Sequence, residues 1–234
     1  MQRFKPVHAV LTASLLLGFA AFAAGPARAQ DSSPAAAATA VQAPLQVVAF
    51  GDSLSAGYGL GPGQSFAERL QAELRKAGRE GLVVANAGVS GDTTSGALAR
   101  LEWSVPESAD LVIVELGAND ALRGVSPQLA EKNLDAILAK LTARGQRVLL
   151  AGMKAPRNLG QEYIDAFDPI YPRLARKYGV ALYPFFLDGV VADPALNQAD
   201  GMHPNEKGVS VILERILPAV EKELSAVSAA RGTG

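Results

Sequence analysis

Three residues far apart in this chain have the types needed to attack a carbonyl group. They are Ser53 in Gly51-Asp52-Ser53-Leu54-Ser55, and Asp200 and His203 in Asp200-Gly201-Met202-His203. A serine hydroxyl becomes a nucleophile when an imidazole takes its proton, and a carboxylate on the far ring nitrogen fixes the tautomer. Histidine usage narrows the choice of base. The chain has two, His8 and His203, and His8 falls in a leader that export would remove. Asp200 stands three residues before His203, close enough on one turn to accept from Nδ1–H and leave Nε2 facing a hydroxyl. Pro204 restricts the backbone at that point. A lone histidine can equally be an ordinary surface or core residue, and Ser55 and Ser90 are rival hydroxyls.

The elements that must position these groups follow from periodicity. Leu45 to Phe50 is a short apolar run that stops at Gly51-Asp52-Ser53. Similar β-like runs cover 82–86, 111–116 and 147–151, with a weaker one at 180–182. Helical spacing lies between them. It appears in Phe66, Leu70 and Leu74, and in the run from Ser126-Pro127 through Leu141 to Gly145. It recurs as one segment from Ile164 to Ala175, and from Val209 to Val220 with an interruption or end near Pro218. Alternating strand and helix predicts a parallel sheet covered on both faces. Three strands end in polar, glycine-containing loops: 51–55, 86–94 and Gly117-Ala118-Asn119-Asp120. Each alone reads as turn or cap chemistry. Three at one sheet edge, where open α/β folds place ligands, point to a site.

Length and composition bound the rest. The chain has 234 residues, 49% hydrophobic and 19% charged, enough for one domain with a sizeable core. Arg3 and Lys5 precede an apolar stretch, and Ala27-Arg28-Ala29 offers a cleavage site. Residues 1–29 are therefore expected to be a secretory signal peptide, 30–44 a disordered Ala/Ser/Pro-rich linker and 45–228 the catalytic domain. Cleavage removes three basic residues and no acid, leaving 19 basic against 23 acidic residues, net −4. Such a chain gives no reason to expect nucleic acid as a partner. It has no cysteine, hence no disulfide, thiol nucleophile or lipid-attachment cysteine. One histidine in the mature chain argues against a zinc site. No later segment is long and apolar enough to span a bilayer. Periplasmic or secreted residence is expected, without a stable membrane anchor.

Gly51-Asp52-Ser53-Leu54-Ser55, Gly91, Asn119 and Asp200-Gly201-Met202-His203-Pro204-Asn205 together resemble the four blocks of the GDSL, or SGNH, hydrolases. The similarity runs in order from Val47 to about Pro218. Gly51 to Gly59 and Glu115 to Gly124 resemble the bacterial branch of arylesterases and thioesterase I/lysophospholipase L1 enzymes. The resemblance implies a flavodoxin-like α/β/α sandwich around a mainly parallel five-stranded sheet. It also implies Ser53 as nucleophile, His203 as base and Asp200 as its orienting carboxylate. The oxyanion hole would be formed by the backbone N–H groups of Ser53 and Gly91 and the side-chain amide of Asn119. Asp52 is expected to organise the serine loop. The G-x-S-x-G elbow of the common lipases is absent.

The activity implied is hydrolysis of small-molecule carboxylic esters through an acyl-serine, with no cofactor and no metal. Aryl and short- to medium-chain acyl esters are expected, with thioesters and lysophospholipids as extensions. Ala118 replaces the branch's usual second glycine, and Ala155 and Leu159 replace its usual leucine and tyrosine in the loop 154–160. The first should leave Asn119 intact; the replacements at Ala155 and Leu159 favour the arylesterase side. Met202, Ala155, Leu159 and Leu122, with the segment up to Val125, are expected to border the acyl groove because they flank the catalytic loops. A carbohydrate O-acetyl esterase would use the same triad. A noncatalytic ligand-binding module would not need all four polar residue types. A nucleotide site is suggested only by the glycines of 57–63, which lack a phosphate-loop pattern. The sequence carries no signal for a particular oligomer.

Overall fold

Val47, Val48 and Phe50 begin a strand, β1 (Gln46–Gly51), whose last five residues are buried. The computed structural model describes residues 44–232. The leader at 1–29 and the linker expected at 30–44, apart from Pro44, lie outside the described residues. After β1 come α1 (Ser53–Ala56), α2 (Phe66–Lys76), β2 (Val83–Gly88), α3 (Thr94–Ser104), β3 (Leu111–Glu115) and α4 (Ala118–Leu122). The chain continues through α5 (Pro127–Ala143), β4 (Arg147–Ala151), a 3-10 turn at Arg157–Leu159, α6 (Gln161–Phe167), α7 (Ile170–Tyr178), β5 (Ala181–Tyr183) and α8 (Glu206–Gly232).

The five strands form one parallel sheet in the order β2-β1-β3-β4-β5. Helices α2 and α8 pack on one face, and α3, α5 and α7 on the other, giving the expected three-layer α/β fold. The chain moves from β1 outward to β2, then returns past β1 to β3. That reversal puts the switch point between β1 and β3, where the loops leaving their carboxyl ends diverge and open a crevice. Register sharpens the placement. Gly51 is level with Gly88 on one side and Glu115 on the other, so the three polar loops start side by side.

Strands β1, β3 and β4 are almost wholly buried, which is why they read as continuous apolar runs. The edge strand β2 is half uncovered, with Val83 exposed. Gln71 from α2 occupies its free edge: Nε2 donates to Leu82 O at 2.5 Å and Val84 N–H donates to Oε1 at 2.6 Å. A side-chain amide thus satisfies groups that would otherwise template another strand.

Three elements differ from the sequence expectation. The helix expected to run unbroken through Ile164–Ala175 is two helices, parted at Asp168-Pro169. Proline cannot donate to the turn before it, yet Ile164, Phe167, Tyr171 and Leu174 keep helical spacing across the break and conceal it. Conversely, α8 runs through Pro218 to Gly232. Its buried stripe of Ile212, Ile216, Val220 and Leu224 continues on both sides of the proline, and packing outweighs one missing hydrogen bond. Helix α3 was not expected at all, because only Ala97 and Leu101 supply buried apolar anchors.

Candidate active site

Ser53 is placed by the abrupt end of β1. Asp52 caps the four-residue α1, its Oδ1 accepting from Leu54 N–H at 3.0 Å, so Ser53 occupies the first helical position. Gly51 is required for this turn. A Cβ there would lie 2.2 Å from Ser55 Oγ and 2.5 Å from Glu115 Oε2, closer than any side chain can sit.

The hydroxyl meets its partner from the far end of the chain. Ser53 Oγ lies 3.0 Å from His203 Nε2, and His203 Nδ1 lies 2.6 Å from Asp200 Oδ2. Asp200 Oδ1 accepts the backbone N–H groups of Met202 at 2.9 Å and His203 at 3.0 Å. Those bonds, the His203 N–H foremost, lower the Asp200 carboxyl to about 2. Asn205 frames the loop, its Nδ2 donating to Ala195 O and Asn197 O while its Oδ1 accepts from the first turn of α8. The Tyr58 ring packs against the imidazole with centroids 4.6 Å apart. Of the rival hydroxyls, Ser55 is fully buried and donates to Glu115, and Ser90 lies exposed in the loop after β2.

The two remaining expected donors sit on the neighbouring loops. Asn119, in the first turn of α4, donates from Nδ2 to Asp52 Oδ2 at 3.0 Å. That bond fixes the amide plane while leaving its second N–H geometrically separate. Gly91 has φ +83°, and its carbonyl accepts from Arg123 Nη2 at 2.7 Å. Asp52 therefore joins the serine turn to the Asn119 turn through its two carboxylate oxygens.

Beneath this surface lies a buried polar foundation that sequence reading missed. Glu115 ends β3, fully buried; its Oε2 accepts from Ser55 Oγ at 2.8 Å and from Asp52 N–H at 3.3 Å, while Oε1 has no partner among the described residues. Burial first, and the Asp52 carboxylate second, push the Glu115 carboxyl well above its ordinary range. Burial likewise raises Asp52 to about 6. Arg100 reaches inward from α3 to donate to Gly51 O, Ala87 O and Asp92 Oδ2 at 2.8, 2.8 and 2.6 Å. It thereby clamps the ends of β1 and β2 to the Gly91 loop. Asp120, also buried, accepts from the backbone and hydroxyl of Thr94 at 2.8 and 2.7 Å, fastening the Asn119 turn to the start of α3. Polar residues on otherwise helical stretches carried no warning of these roles. Only the spacing of Glu115 at a strand end could have offered one.

The groove residues divide. Met202 and Leu122 are 52% and 56% exposed beside the site loops. Leu159 is half-buried against the core. Ala155 corrects the expectation: it is only 3% exposed. Its N–H donates to Asp168 Oδ1 at 2.8 Å, and its methyl belongs to the buried core. Among the described residues, no group of three His, Cys, Asp or Glu side chains could hold a metal ion.

The chain is similar to several known esterases in sequence and in fold. Esterase TesA of Pseudomonas aeruginosa is 42% identical over 172 residues, covering 73% of this chain and 85% of that protein. An arylesterase of Vibrio mimicus is 38% identical over 186 residues, covering 79% and 92%. The crystal structure of AlinE4, an SGNH-hydrolase family esterase, superposes with a TM-score of 0.64 at 48% identity, covering 77% of this chain and 96% of the other. The sequence model of the GDSL-like Lipase/Acylhydrolase family matches residues 49–211. The chain belongs to the GDSL-like lipase/acylhydrolase family.

Proposed function

We propose that this protein is a serine esterase hydrolysing small carboxylic esters through an acyl-Ser53 intermediate. The observation that carries this reading is the unbroken line from Ser53 Oγ to His203 Nε2 at 3.0 Å and from His203 Nδ1 to Asp200 at 2.6 Å. His203 takes the Ser53 proton as Oγ attacks the carbonyl carbon. The oxygen of the tetrahedral intermediate is received by the N–H groups of Ser53 and Gly91 and by the Asn119 amide. Fixed donors lower the barrier because they need no reorganisation as charge develops. His203 then protonates the departing alcohol, and a water activated by the same imidazole releases the acid.

Aryl esters and short- to medium-chain acyl esters suit an open site flanked by Tyr58, Met202 and Leu122. The relatives named as esterase TesA and arylesterase support that class. The basic start, apolar stretch and Ala27-Arg28-Ala29 support export to the periplasm or beyond. The test is a p-nitrophenyl ester assay combined with labelling by an active-site-directed phosphonate. The parent should lose activity as one phosphonate attaches at Ser53. Ser53→Ala should lose about three or more orders of magnitude in turnover and resist labelling. Near-normal hydrolysis by Ser53→Ala would overturn the assignment.

A further inference from the structure

The proposed nucleophile and base stand 150 residues apart in the chain, and their Oγ–Nε2 contact is a single hydrogen bond. The Asp200–His203 turn is internally braced by the two N–H bonds to Asp200 Oδ1, so it could shift as a unit without breaking the Asp–His pair. Gln198 stands where such a shift would occur. Its Nε2 donates to Tyr58 O at 2.7 Å and to Pro204 O at 3.0 Å, and its backbone N–H donates to His203 O at 2.8 Å. Tyr58 N–H in turn donates to Ser53 O at 3.1 Å. The fit is close: a Cβ on Gly59, at φ +73°, would lie 2.1 Å from Gln198 Oε1. Other polar links between these segments run further out, from Gln64 and Arg69 to Glu206 and Ser210.

We propose that Gln198 is a positioning residue, a two-pronged donor that clasps the serine segment to the histidine loop and sets the distance across which the proton moves. It rests on the triad reading above. Loosening the clasp should leave substrate binding intact and lower the rate of proton transfer, since misplacement by about 1 Å costs roughly a hundredfold.

The test uses the full chain and p-nitrophenyl butyrate, with Gln198→Met, Gln198→Glu and His203→Ala measured together. Gln198→Met keeps the length without a donor and should lower kcat by roughly ten- to a hundredfold with KM within about threefold. Gln198→Glu places a carboxylate against two carbonyl oxygens, yet when protonated can donate once. Its deficit relative to the parent should therefore shrink as pH falls from 8 towards 5, whereas that of Gln198→Met stays flat. A purely structural residue would not produce that divergence. The clasp is overturned by kcat within twofold of the parent in Gln198→Met, or by a pH-independent deficit in Gln198→Glu. It is equally overturned if both variants fail to fold, which would make Gln198 a determinant of stability. If those variants are normal while His203→Ala is inactive, the clasp alone fails. If His203→Ala remains active, the triad reading fails and takes the clasp with it.

Discussion

Asp52 and Asp200 flank the same serine–histidine pair, yet their surroundings drive their carboxyl groups in opposite directions. Asp52 lies fully buried at the end of β1, beside the buried acid of Glu115, and is raised to about 6 because burial penalises its charge. Asp200 sits on an exposed loop and is lowered to about 2 because two backbone N–H groups and the imidazole all donate to it. One carboxylate costs the fold stability when it ionises; the other is ionised by design of its turn. The contrast separates two jobs. In the proposed mechanism the buried side builds a platform for attack, and the exposed side carries a charge that stabilises an imidazolium.

The largest expected effect tests the exposed side. Asp200→Asn should cost about 10³- to 10⁴-fold in kcat, because a neutral amide can neither enforce the tautomer nor stabilise the imidazolium. A loss below tenfold in p-nitrophenyl ester turnover would show that Asp200 does not orient His203. The platform comes next. Asn119→Ala should lower kcat by on the order of a hundredfold with little change in KM, the signature of a donor used only in the transition state. An equal rise in KM with kcat intact would place Asn119 in ground-state binding instead.

The two aspartates should also oppose each other in stability. Asp52, raised from 3.8 to about 6, favours folding fully below about pH 4, and that contribution disappears as pH rises through 6. Asp52→Asn removes this dependence. Its stability relative to the parent should climb between pH 4 and 7, by up to about 3 kcal/mol at roughly 1.4 kcal/mol per unit. Denaturant melts showing a constant offset across that range would rule out a raised Asp52. Asp200, lowered from 3.8 to about 2, contributes in the other sense: present above pH 4 and lost only as pH falls through 2. The smallest effect lies at the rim. Met202→Trp should shift acyl-chain preference by roughly fivefold while leaving the best substrate's turnover nearly unchanged, since one side-chain contact at an exposed groove rim is worth about 1 kcal/mol. An unaltered chain-length profile would remove Met202 from the groove.

Much of this was legible in the residues themselves. The apolar runs that became β1, β3 and β4 marked strands, since a fully buried parallel strand leaves an uninterrupted apolar signature. Ser53 and His203 followed from type and scarcity. Helix α3 was hidden by its two short anchors, and the α6–α7 break by apolar spacing that ignores a proline. Ala155 was misjudged because chain proximity to a site loop says nothing about burial, and its methyl lies in the core.

By itself the sequence determined the alternation of strands with helices, the scarcity of histidine and the loops that could carry chemistry. Only the tertiary structure decided how those loops meet. Arg100 clamping two strand ends, Asp120 tying α4 to α3, Glu115 buried beneath the serine and Gln198 spanning to Tyr58 are all contacts between distant segments. The fate of two identical carboxyl groups belongs to the same class. Local spacing sets which residues can touch within a turn, whereas burial and the donors around a charge are set by whatever the rest of the chain packs against it.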